Sequence, residues 1–159
     1  MESTRTGTGT EAGPGADEAH GAEDPIGKVR VAAFAAVAIY LFGQAFDTYW
    51  HAKNVSFVPE PPSALWTIHL GIYLGAAIIL ATGALVAFRD GFRIAGGLFA
   101  LGGAVALAGF FLDMWKHSQG TSVDFYHDLV WYGFGLVVVG MVRMEAMRRN
   151  RLGVPHRSD

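Results

Sequence analysis

Cysteine is absent from the 159-residue chain. That removes disulfides, thiolate metal ligands and cysteine nucleophiles, so any bound metal must rest on histidine and carboxylate. Charge is scarce too. Only 16% of residues are Asp, Glu, Lys or Arg against 52% hydrophobic ones, and the mean hydropathy is +0.31, too apolar for an ordinary water-soluble domain of this size. The opening is acidic and polar rather than basic and apolar as in a signal peptide, so membrane insertion is expected to fall to the first apolar helix. Residues 1–27 carry Glu2, Glu11, Asp17, Glu18, Glu23 and Asp24 against Arg5. This Gly- and Thr-rich stretch has no apolar run to offset its chain entropy and is expected to be a disordered acidic tail.

Four long apolar stretches are present, at roughly 29–51, 63–88, 93–117 and 124–147. At about 1.5 Å per residue each can cross a hydrocarbon layer about 30 Å thick. A backbone in that layer must satisfy its own hydrogen bonds, so each stretch is predicted to be a helix. Lys28, Arg30, Arg89, Arg93, Arg143, Arg148, Arg149 and Arg151 fall on one side of these helices, and Lys53 and Lys116 on the other. The basic excess puts both termini and the 89–93 turn in the cytoplasm of a multi-pass cell-membrane protein. The arginines near the C-terminus read as an anchor at anionic headgroups, not as a nucleic-acid site. The 52–62 connection, with Pro59, Pro61 and Pro62, is expected to run extended. Glycines at 71, 75 and 83, and at 96, 97, 102, 103 and 109, offer faces for close helix packing.

The second half repeats the first. Phe46-Asp47-Thr48-Tyr49-Trp50-His51-Ala52 aligns with Leu112-Asp113-Met114-Trp115-Lys116-His117-Ser118, and His69-Leu70-Gly71-Ile72-Tyr73-Leu74-Gly75 with His127-Asp128-Leu129-Val130-Trp131-Tyr132-Gly133. The fold class is therefore all-α, a four-helix transmembrane bundle over 28–151 built from two duplicated hairpins, 28–88 and 93–148, with a short tail over 152–159. Asp47 and His51 are four residues apart, as are Asp113 and His117, so each pair shares a helix face. His69 and His127 enter from the paired helices at the same end. Six candidate metal ligands thus converge on one level: Asp47, His51, His69, Asp113, His117 and His127. An Asp at the bilayer centre costs roughly 2.5–3.5 kcal/mol and less near the interface, so these groups call for a compensating partner. Oxygen and imidazole donors suit copper(II), zinc, iron or manganese, as one dinuclear centre or one ion per hairpin.

The pattern Asp47-x3-His51 followed by His69, and Asp113-x3-His117 followed by His127, resembles the Asp-x3-His…His copper motif in the membrane C subunit of particulate methane and ammonia monooxygenases. The resemblance covers only these segments, in a chain that is far shorter. It implies one copper set of Asp47, His51 and His69 and a second of Asp113, His117 and His127.

Two other readings stand beside the metal site. In the first, haem b lies between facing histidines, His51 with His117 or His69 with His127, in an electron-transfer protein. In the second, a non-catalytic subunit uses an Asp/His network to fix helix register, alone as a homo-oligomer or with partner membrane subunits. A proton path is incomplete, since no ionisable residue lies at mid-depth. Glu60, Asp124 and Asp128 are candidates for orienting imidazoles. Trp50, Trp66, Trp115, Trp131, Tyr49 and Tyr126 fit an interfacial aromatic belt, and Met141, Met144 and Met147 fit helix packing. His20 and His156 lie in the tails. A metal centre with an open position would serve redox or hydrolytic chemistry on a small or lipid-soluble molecule; whether the chain is an enzyme is not legible in the sequence.

Overall fold

The computed structural model describes residues 26–54 and 62–152. Within them the chain consists of helices joined by short turns: α1 (Gly27–Lys53), α2 (Pro62–Ile68), α3 (Leu70–Ala87), α4 (Arg93–His117) and α5 (Asp124–Arg151), with no strand among the described residues. The helices α1, α3, α4 and α5 are long and apolar enough to cross a bilayer. The expected disorder of the acidic tail and the expected extended run of prolines concern residues outside the described ones, apart from Ile26, which is buried, and Gly27, which opens α1. At the other end α5 runs one turn beyond the predicted limit, and Leu152 closes it by donating its N–H to the Arg148 carbonyl.

One expectation is corrected. The stretch 63–88 does not form a single helix: α2 ends at Ile68 and α3 begins at Leu70, with His69 between them at φ −90° and ψ 1°. The physical reason is local. The His69 Nδ1 lies 2.9 Å from the Leu65 carbonyl oxygen, the acceptor that an unbroken helix would reserve for the His69 backbone N–H. Beyond the break the His69 carbonyl accepts from both Ile72 and Tyr73, which starts the new helix.

Small residues set how the helices pack. Gly75 lies against the Tyr40 backbone, where an added Cβ would come within 2.6 Å of it, so α1 and α3 touch main chain to main chain. Gly133 lies in the same way against Ala106, joining α4 to α5. These two contacts are related by the same offsets that map Asp47 onto Asp113 and His69 onto His127. Gly83 on Ala100 and Gly103 on Leu80 join α3 to α4. Gly97 is the exception to the expected packing faces, having nothing within 4 Å of an added Cβ.

The first and last helices meet differently. Tyr40, 1% exposed, reaches from α1 to stack on Phe134 of α5 at 5.6 Å, with Gln44 donating to its hydroxyl. Their backbones stay farther apart than those of the other neighbours. The bundle thus has one seam bridged by side chains. Around it the outward faces are apolar, with Phe42, Val31, Leu70, Leu85 and Val142 all exposed. The six predicted Asp and His ligands gather at one end, called the histidine end below. The start of α1, the turn between α3 and α4 and the end of α5 form the other, basic end, where Gly91 takes φ 79° and Arg151 packs over Phe92.

Candidate metal centre

The last turns of α1 present Asp47 and His51 on one face, and the break at His69 turns a second imidazole toward them. The His51 Nε2 lies 3.2 Å from Asp47 Oδ1 and the His69 Nε2 3.0 Å from the same oxygen. One ligand atom from each of the three residues falls within 4.8 Å of the others. For comparison, donors bound tetrahedrally at about 2.0–2.1 Å stand about 3.3 Å apart. Asp47 and His69 are buried and His51 is partly exposed at the rim.

The donor set fits an ion on two further grounds. A carbonyl oxygen can only accept, so the contact with Leu65 places the proton of His69 on Nδ1 and leaves the Nε2 lone pair facing Asp47 in the neutral ring. Ligating histidines characteristically donate their second nitrogen to such a carbonyl. In addition, Asp47 Oδ1 is buried and makes no hydrogen bond among the described residues, despite its closeness to two ring nitrogens. A buried acceptor left in that condition costs roughly 1–3 kcal/mol, and more when charged. A cation shared by the three residues removes that cost.

The second hairpin is arranged less tightly. Asp113 is buried and its Oδ1 also lacks a hydrogen-bond partner among the described residues, but its Oδ2 accepts from His127 Nδ1 at 3.0 Å, and His117 Nδ1 stands 3.7 Å away. The His127 side chain is 60% exposed, whereas that of His69 is 8% exposed. Here the helix has no break: His127 lies in the first turns of an uninterrupted α5, and no counterpart of α2 covers it. Of the six predicted ligands, then, Asp47, His51 and His69 form a compact group, while Asp113, His117 and His127 share one carboxylate oxygen. The two sets are neighbours. Asp47 is within electrostatic range of His127, Phe110 lies 6.3 Å from the His69 ring, and the Tyr73 hydroxyl donates to Met114 Sδ, next to Asp113.

In both expected haem pairs, His51 with His117 and His69 with His127, each ring turns one nitrogen toward a carboxylate. Asp124 is exposed in the first turn of α5 and Asp128 is exposed beside His127, while Glu60 lies outside the described residues. Trp66, Trp115, Trp131 and Tyr49 point outward. Met144 is core, with Met141 and Met147 packed against it. Three features were not anticipated from sequence: the Leu65 carbonyl, Tyr73 with Met114, and the Tyr40 bridge. The first depends on a helix break, and the others on which helices become neighbours.

No protein family, curated protein or solved structure matches this chain. The functional reading therefore rests on the side chains themselves.

Proposed function

We propose that this chain is a multi-pass membrane protein of two duplicated hairpins that holds a transition-metal ion near its outer face through Asp47, His51 and His69. The observation that carries the reading is the buried Asp47 oxygen, which has no hydrogen bond among the described residues and stands between two imidazole nitrogens at 3.0 and 3.2 Å. The Leu65 carbonyl fixes the tautomer that this role needs. Two imidazoles and one carboxylate leave open positions on zinc, copper(II) or iron, and the resemblance to the copper subunit of the monooxygenases makes copper the first metal to test. A metal so held supplies Lewis acidity or electron transfer to a small or lipid-soluble molecule at its open position. The protein's own share is to orient His69 through Leu65 and to shield the ion with α2. Asp113, His117 and His127 form a second, weaker set, which needs a ring rotation at His127 to match the first.

A second reading has its own support. The hydrogen bond from His127 to Asp113 ties α5 to α4, and a network of this kind fixes register without any metal. Elemental analysis of detergent-purified protein separates the two. Wild type is expected to retain metal through gel filtration and His69→Ala to lose it, while Asp113→Asn keeps most of it. A wild type that stays metal-free after reconstitution with copper, zinc and iron would leave the register network standing, and a Soret band would restore the haem reading.

A further inference from the structure

At the basic end Glu145 of α5 gathers three guanidinium groups from two helices. Arg30 Nε of α1 donates to Oε2 at 2.9 Å, Arg148 donates to both oxygens at 3.1 and 2.8 Å, and Arg149 Nε donates to Oε1 at 3.2 Å. One carboxylate against three permanent cations leaves an excess of two positive charges. Both carboxylate oxygens are already used twice, yet the terminal nitrogens of Arg30 and Arg149 have no hydrogen-bond partner among the described residues. Glu145 therefore fixes these side chains in position without consuming their outer donors.

The cluster sits on the one seam of the bundle where backbones are not in close contact, between α1 and α5. Arg30 lies over the Phe34 ring at 5.1 Å, and both Phe34 and Val138 are exposed farther along. Fixed cations at the mouth of an apolar seam match a molecule with a phosphate head and hydrocarbon tails.

We propose that this seam binds a phospholipid carrying two phosphodiester groups, with its phosphates on the terminal nitrogens of Arg30 and Arg149 and acyl chains along Phe34 and Val138. Two anionic phosphates offset the two excess positive charges. A phospholipid with a single phosphate offsets only one, and planar guanidinium forks bind phosphate oxygens in pairs. The inference rests on the membrane reading and is independent of the metal.

Native mass spectrometry of the full chain in detergent tests it, using diphosphatidylglycerol, phosphatidylglycerol at matched phosphate, phosphatidylcholine and inorganic phosphate as probes. Wild type is expected to retain one diphosphatidylglycerol in preference to the other three. The Arg149 side chain is 63% exposed, so Arg149→Gln spares the fold, and it is expected to weaken retention by about tenfold or more, as loss of charge-assisted hydrogen bonds implies. Arg143→Gln, an exposed arginine on the same helix, is expected to leave retention within about twofold. Equal losses in the two variants, equal retention of phosphatidylglycerol, or displacement by inorganic phosphate would overturn the proposal. Protein that remains with membranes after alkaline extraction yet retains no lipid would also refute the site while leaving the membrane reading intact.

Discussion

Asp47 bears most of the chemical argument because a buried carboxylate oxygen is expensive to leave without a donor or a cation. Asp47→Asn keeps the shape and removes the charge. It is expected to lower metal affinity by more than the 10–100-fold typical of losing a group that merely orients a ligand, roughly speaking, as measured by competition with a chromophoric chelator. Imidazole binds metal only when neutral, so metal content is expected to fall as pH is lowered and to recover on return. The i, i+4 spacing made Asp47 and His51 legible as a pair, and the internal repeat pointed to His69. What the sequence did not carry was the orientation of the rings. His69 faces Asp47 through Nε2 because its other nitrogen is held by a backbone carbonyl, and His127 faces Asp113 through Nδ1. That difference follows from a helix break in one hairpin and its absence in the other, which identical residue spacing conceals.

The helices themselves were readable from length and hydropathy, since an apolar run of more than twenty residues has few alternatives to a helix. The break at His69 was not, because no glycine or proline marks it and the competing hydrogen bond comes from a side chain. Glycine positions test the packing directly. A Cβ at Gly75 or Gly133 would strike the backbone of Tyr40 or Ala106. Gly75→Val and Gly133→Val are therefore expected to destabilise the bundle by about 1–3 kcal/mol or more, the usual range for overpacking. Gly97 meets nothing, so Gly97→Ala is expected to be neutral or to stabilise by up to about 1 kcal/mol through helix propensity. Thermal unfolding in one detergent, followed by circular dichroism, compares all three. A Gly97 variant as damaging as the other two would contradict the packing described here.

For the whole molecule, the four long helices and the segregation of basic residues to one end were both apparent in the sequence, whereas the order of neighbours was not. The chain places α1 and α5 at opposite ends of the sequence, and only the structure shows Tyr40 and Arg30 bridging them. The absence of cysteine makes the proposed orientation easy to check. A single cysteine at Gln119, between α4 and α5, is expected to react with a membrane-impermeant maleimide in intact cells. One at Asp90, in the opposite turn, should react only after permeabilisation. The reverse pattern would invert the topology and move the histidine end to the cytoplasm.

The central claim is that Asp47, His51 and His69 bind one ion together. X-ray absorption at the edge of the bound metal, recorded on detergent-purified His127→Ala protein so that the second set is disabled, addresses it most directly. The expected result is a shell of nitrogen and oxygen at about 2.0–2.2 Å with the outer-shell scattering of two imidazoles. A shell of oxygen alone, with no imidazole scattering, would mean that the metal lies elsewhere and would contradict the account.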